Sequence, residues 1–205
     1  MILPPCYYKS VITPEAIYQY FIRVADSSPI PIMMYNYPGA AAGTDMDSDL
    51  MARIGQHPNV AGAKLTCANT GKLTRLAAAM NAVSCTAENS GWMAFGGLAD
   101  MTIQTLVSGG SGTVSGAANV VPKLCVHVFE LWKAGKQDQA MKMQVLLAEA
   151  DWIISKQGVA TTKGALQTYF GYGGLPRQPL EQLSADGIKS TESRLAKAMK
   201  VENSL

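Results

Sequence analysis

Short apolar runs along the chain alternate with stretches whose apolar residues recur every three or four positions. Ile2-Leu3 reads as a strand remnant halted by Pro4. Thr13-Pro14-Glu15 then opens a helix, with a hydroxyl cap, Pro at the first helical position and an acid in the first turn. Ile17, Phe21, Ile22 and Val24 give that helix its apolar residues, and Asp26-Ser27-Ser28 ends it. Pro29 to Tyr35 is a buried strand bounded by Asn36-Tyr37-Pro38-Gly39. A second helix is expected over about 47–56, a strand over Val60-Ala61-Gly62-Ala63-Lys64, and a helix over about 70–80. Trp92 to Phe95 reads as a strand stopped by Gly96-Gly97 and followed by a helix over about 99–107. Gly112-Thr113-Val114-Ser115 is the last strand, and the helix beyond it begins near Asn119 with Pro122 in its first turn. From about Gln137 the pattern is helical only, broken at Gly171-Tyr172-Gly173-Gly174-Leu175-Pro176.

Strand followed by helix thus recurs five times, which implies parallel strands joined by right-handed crossovers. A doubly wound sheet would want a Gly-x-Gly-x-x-Gly turn after its first strand, whereas Gly109-Gly110-Ser111-Gly112 precedes a strand. A (β/α)8 TIM barrel needs eight units and typically ~250 residues. The expectation is an α/β chain with about five βα units of such a barrel over 1–136, and a C-terminal helical extension over 137–205.

Composition narrows the function. With 205 residues, 48% of them hydrophobic, the chain buries a core without a disulfide or metal staple. Seventeen Lys+Arg against fifteen Asp+Glu, with no basic block, argues against nucleic acid and anionic membranes as partners. No apolar run approaches the ~20 residues of a membrane helix. Cys6, Cys67, Cys85 and Cys125 form no Cys-x-x-Cys pair and only His57 and His127 accompany them, so no zinc site is expected. A reduced, cytoplasmic setting is the default, with a mitochondrial one left open. The first residues lack the charged region of a signal peptide. A chain that opens inside a strand also hints at something missing upstream.

Lys64 is the chemically suggestive residue, since it ends an apolar strand of small residues. An amine between low-dielectric walls loses part of its preference for the charged form and becomes nucleophilic. At the C-terminal end of a barrel strand, it is placed to condense with a ketone. The plainer alternative is a stem that lines the strand end while the ammonium reaches water. Tyr35 ends the preceding strand, and Tyr7 and Tyr8 end the one before, so three strands deliver phenols and an amine to one rim. A phenol beside an amine can move a proton as an imine forms; each tyrosine is equally readable as a core aromatic with a satisfied hydroxyl, the preferred reading for Tyr37.

These residues carry a resemblance. Pro5-Cys6-Tyr7-Tyr8, Tyr35-Asn36-Tyr37-Pro38 with Gly43, Gly62-Ala63-Lys64, and Gly112-Thr113-Val114-Ser115 with Asn119 and Pro122 occur in order. The set resembles the dihydrodipicolinate synthase/N-acetylneuraminate lyase family of class I aldolases. Val60 to Arg75 and the Phe170 to Pro176 tail are most similar to its 4-hydroxy-2-oxoglutarate aldolase and fungal 2-keto-3-deoxy-sugar-acid aldolase branch. The resemblance implies that Lys64 forms a Schiff base with a 2-oxo acid, that Tyr35 relays protons, and that Tyr7 or Tyr8 completes the relay, in the synthases from a neighbouring subunit. It further implies substrate contacts at Val114 and Gly96, no metal or organic cofactor, and a homo-oligomer, dimer or tetramer. Two departures stand out. Gly39-Ala40-Ala41-Ala42-Gly43 lacks the Arg with which the synthases bind their second substrate's carboxylate, which disfavours that activity. The family's Gly-Thr/Ser-Thr/Ser-Gly-Glu loop is also missing, as if strands one to three were absent and the five units here were strands four to eight.

Weaker candidates are better read structurally: Cys67 as a small buried thiol, Glu88 as a solvated carboxylate, His57 as a cation at a helix end, and the helix around Glu149, Asp151 and Trp152 as a packing surface. Two functions remain. One is a lyase cleaving a 2-keto-3-deoxy acid or 4-hydroxy-2-oxoglutarate through Lys64. The other is a non-catalytic fragment or pseudo-enzyme with residual imine formation at most.

Overall fold

Local caps set most element boundaries in the computed structural model, which describes all 205 residues. Thr13 Oγ1 accepts from the Ala16 N–H at 3.1 Å and Pro14 is the first residue of α1 (Pro14–Ser27). Asp47 caps α2 (Ser48–Gly55) through the Leu50 N–H at 2.8 Å, and Asn69 caps α3 (Thr70–Ala79) through the Lys72 N–H at 2.8 Å. Each side chain supplies an acceptor to an N–H that the first helical turn leaves unpaired. Between and after these helices run β1 (Ile32–Asn36), β2 (Val60–Leu65), β3 (Met93–Gly96) and β4 (Gly112–Thr113), one parallel sheet in the order β1-β2-β3-β4. α4 (Thr102–Val107), preceded by a 3-10 turn over Ala99–Met101, connects β3 to β4.

The sheet has four strands where five were expected. Ile2 makes a single parallel bridge to Met34, its N–H donating to the Met33 carbonyl and its carbonyl accepting from the Tyr35 N–H, both at 2.8 Å. Pro4 and Pro5 have no N–H to extend that ladder, so the first strand stops at one bridge. β4 is likewise two residues rather than four, because the chain leaves the sheet for the 3-10 turn Ala117–Asn119. The next helix begins at Pro122 itself, not near Asn119.

Two compact units result: Met1–Gly97 with Gln104–Thr113, and Leu98–Ile103 with Val114–Leu205. Phe21, Met34, Met51, Ile54, Leu65, Leu73 and Leu76 fill the core of the first. Gly62 sets the spacing of its two central strands, since any Cβ there would run into the Met93 carbonyl of β3.

The second unit contains α5 (Pro122–Lys133), α6 (Gln137–Lys156), α7 (Val159–Phe170) and α8 (Ala185–Ser204), packed around Leu124, Leu147, Ile154 and Leu195. No helix is long and apolar enough to cross a membrane. α5 has no cap from its own preceding residue; the buried Glu202 of α8 accepts from the Lys123 and Leu124 N–H groups at 3.0 and 2.8 Å. On α6, Gln144 accepts from the Ile103 N–H at 3.1 Å and donates to the Ala99 and Asp100 carbonyls at 3.0 and 2.9 Å.

Asp151, also on α6, is 1% exposed and accepts from the Asp100 N–H at 3.3 Å. Burial pushes its carboxyl up to about 6; the Asp100 charge adds to this, while the Asp100 and Ala99 N–H groups oppose it. The folded state therefore binds this proton more tightly than the unfolded chain does. Stability from the group is present below about pH 4 and is lost as pH rises through about 6. Between pH 4 and pH 8 the loss should reach about 2–3 kcal/mol. Asp151→Asn keeps an acceptor without the charge, so urea unfolding of this variant should show a flatter pH dependence than the parent; an unchanged slope would refute the assignment.

Candidate active site

Parallel pairing places Tyr35 of β1 beside Lys64 of β2, and Lys64 beside Phe95 of β3. Side chains in register on neighbouring strands share a face, so the amine stands in a row between a phenol and a phenyl ring. Lys64 is only 9% exposed. Its Nζ lies 4.3 Å from the centre of the Tyr35 ring, within cation–π range, and has no carboxylate or hydrogen-bond partner. The Tyr35 hydroxyl accepts from Thr66 Oγ1 at 3.3 Å, and its ring stacks on Tyr37 with centroids 5.6 Å apart and planes 29° apart. Thr66 is two residues past Lys64 and so points to the same face.

The structure thus brings Lys64 and Tyr35 together. Tyr7 and Tyr8 follow the Ile2 bridge in an exposed turn, where their rings pack edge to face at 5.2 Å and neither hydroxyl bonds to Tyr35 or Lys64. Gly96 pairs with Leu65 and so stands on the opposite face from Lys64, where a Cβ would strike Thr105 Oγ1 of α4. Val114 belongs to the second unit and is half-buried just past β4. Cys125 is in the second unit too; burial, with the Asp151 and Glu202 charges, pushes its thiol up to about 12, an unreactive state. All four cysteines are free. No group of three or more His, Cys, Asp or Glu residues is placed to hold a metal ion.

Sequence reading missed four participants. Thr66 was unremarkable beside Lys64, yet it holds the phenol. Asn36 and Lys72 are fully or almost fully buried, and the half-exposed Asp45 binds both: Asn36 Nδ2 donates to Asp45 Oδ1 at 2.7 Å and Lys72 Nζ forms a very short ion pair with the same oxygen. The Asn69-Thr70-Gly71-Lys72 start of α3 gives no hint that its lysine points inward.

This geometry can be set beside known proteins. The profile of the Dihydrodipicolinate synthetase family matches residues 1–198. The chain belongs to that family. An L-threo-3-deoxy-hexylosonate aldolase from Hypocrea jecorina is 51% identical over the whole chain, which covers 65% of that relative. An Emericella nidulans protein named "Probable 4-hydroxy-2-oxoglutarate aldolase, mitochondrial" is 42% identical over the whole chain, covering 64% of it. The chain therefore spans a little under two-thirds of these relatives' length. A crystal structure of a dihydrodipicolinate synthase family protein from Coccidioides immitis matches with TM-score 0.82 and 34% identity, over 99% of this chain and 64% of that one. A Sulfolobus 2-keto-3-deoxygluconate aldolase, 23% identical with TM-score 0.81, shares the α/β fold over 98% of this chain and 66% of its own.

Gly97 tests how tightly β3 packs against Thr66. A Cβ there would overlap Thr66, including its Cα at 2.7 Å, so Gly97→Ala should cost about 1–3 kcal/mol in urea unfolding. Gly116→Ala, with nothing within 4 Å, is the matched control and should be near neutral. Equal stability of the two variants would show that Thr66 yields freely.

Proposed function

We propose that the chain is a Schiff-base (class I) aldolase that cleaves a 2-keto-3-deoxy acid or 4-hydroxy-2-oxoglutarate. The observation that carries this reading is the buried Lys64 amine, held over the Tyr35 ring without a carboxylate to occupy it. Membership of the dihydrodipicolinate synthetase family and relatives named as aldolases of both substrate types support it. The Gly39-Ala40-Ala41-Ala42-Gly43 loop offers no guanidinium for a second carboxylate, which favours cleavage over synthase chemistry.

In this scheme the Lys64 amine adds to the C2 carbonyl and loses water to give an imine. A base acting with Tyr35 removes the C4 hydroxyl proton, the C3–C4 bond breaks, and its electrons pass into the imine as an enamine. The aldehyde departs, C3 takes a proton, and water releases pyruvate and the free amine. Thr66 fixes the Tyr35 phenol that serves this transfer. Tyr7 or Tyr8 completes the relay, and their exposure suits a role offered to a neighbouring subunit. Gly96 contributes a substrate contact through its backbone at the end of β3. The fold reading is a portion of a (β/α)8 barrel over 1–136, its Ile2 bridge and four strands corresponding to the barrel's fourth to eighth, with a helical extension over 137–205. Four free cysteines suit a reducing compartment, cytoplasmic or mitochondrial.

Incubation with pyruvate and borohydride, followed by peptide mass mapping, should place one reduced adduct on Lys64. Adduct formation that survives Lys64→Ala would overturn the assignment. Tyr35→Phe keeps the ring over the amine and removes the phenol, so turnover of either substrate should fall by about 10²–10⁴-fold; an unaltered rate would remove Tyr35 from the relay.

A homo-oligomer is part of the same proposal, because the exposed Tyr7 and Tyr8 are read as serving a neighbouring subunit's site. Light scattering at micromolar concentration should report a dimer or tetramer, and a compact monomer would count against it.

A further inference from the structure

We infer that Lys72, acting with Asp45 and Asn36, is a positioning residue that sets the geometry between Tyr35 and Lys64; the inference rests on the aldolase reading above. Lys64 and Lys72 are the chain's two buried basic residues, and they are treated in opposite ways. Lys64 lies free over a ring. Lys72, 4% exposed, is locked to Asp45 Oδ1. Asn36 donates to that same oxygen at 2.7 Å, and its own Oδ1 accepts from the Met46 N–H at 3.0 Å. One buried asparagine thus closes the loop from β1 to Met46 onto itself, and the buried ammonium fixes the loop's carboxylate to α3.

That loop begins with Tyr37, whose ring stacks on Tyr35. The Asn36 carbonyl also accepts from the Thr66 N–H at 2.9 Å, and Thr66 Oγ1 holds the Tyr35 hydroxyl. Two restraints on the Tyr35 side chain, the stack and the hydroxyl bond, therefore converge on Asn36, which sits on the far face of the strand. No hydrogen bond or ion pair joins the cluster to Lys64.

Energetics point to positioning rather than to stability. Lys72 occupies an inward position of α3 beside Leu73, Leu76 and Ala77, where an apolar side chain would avoid the desolvation of an ammonium. A polar cluster at such a site specifies one arrangement, and misplacement of a reacting group by 1 Å can cost ~10²-fold in rate. Burial raises the Asp45 carboxyl, but the hydrogen bonds from Asn36 and Lys72, together with the Lys72 charge, outweigh it and hold the group below its usual range. The carboxylate thus stays charged against the ammonium throughout the neutral range.

The test is the time course of borohydride-trapped pyruvate adduct on Lys64 in the full chain. Lys72→Met should slow trapping tenfold or more, yet still approach one adduct per chain, because the amine is present and only its surroundings are misaligned. Partial unfolding gives the opposite signature, a lowered endpoint. Lys72→Arg restores an ion pair with Asp45 and should recover most of the rate. Tyr37→Leu leaves the Asn36–Asp45–Lys72 cluster intact and removes only the stack, so it should slow trapping without shifting the melting temperature; it decides the matter if Lys72→Met does not fold. Parent-like rates in Lys72→Met, or in Tyr37→Leu, overturn this inference alone. Failure of the unaltered chain to take label on Lys64 overturns the aldolase reading and this inference with it.

Discussion

An ammonium taken out of water must be met by something, and the organisation of the first unit follows from how that demand is satisfied twice. Lys72 is met by a carboxylate and two layers of hydrogen bonds, and becomes inert. Lys64 is met by the face of a tyrosine ring, which lowers the cost of burial without claiming the nitrogen. A cation–π contact is weaker than a buried ion pair, so the strand around Lys64 has to be rigid for the amine to stay in place. The parallel register that puts Tyr35, Lys64 and Phe95 side by side supplies that rigidity, and backbone hydrogen bonds on both sides of β2 maintain it.

Small residues make this register attainable. Ala63 and Gly62 precede the lysine on β2, and Gly96 and Gly97 end β3. At Gly62 the space a side chain would need is taken by backbone; at Gly96 and Gly97 it is taken by Thr105 and Thr66. The glycines that read in sequence as strand breakers are therefore points of close approach. They draw a threonine hydroxyl up to the Tyr35 phenol on one face and let α4 close on the other.

Much of this was legible in the residue pattern, for identifiable reasons. Thr13-Pro14-Glu15, Asp47 and the Lys64 strand were readable because caps and apolar runs are local signals, and their boundaries agree with the structure to within a few residues. The pairing of Tyr35 with Lys64 was accessible because consecutive parallel strands bring equivalent ends together. The short edges were not: the prolines after Leu3 removed donors from a run that looked like a strand, and β4 was cut to two residues by the turn that follows. Lys72 was hidden for a different reason. Its partner Asp45 lies 27 positions away, and only the fold shows that a lysine in the first turn of a helix points inward. Gly96 was singled out by the family resemblance, and alternation along β3 turns its side-chain direction to the helix-packed face.

The Glu202 cap has a consequence for biosynthesis. The first N–H groups of α5 are satisfied by a carboxylate 78 and 79 positions further along the chain. During translation α5 emerges long before its cap exists, with donors that only solvent can occupy until α8 docks. Closing a loop of that length carries an entropic cost that the docking of α8 has to offset. The cap on α5 therefore forms only after α8 has been synthesised. Until then the incomplete helical layer, with Leu124 and Leu147 uncovered, is a vulnerable surface for chaperones to guard.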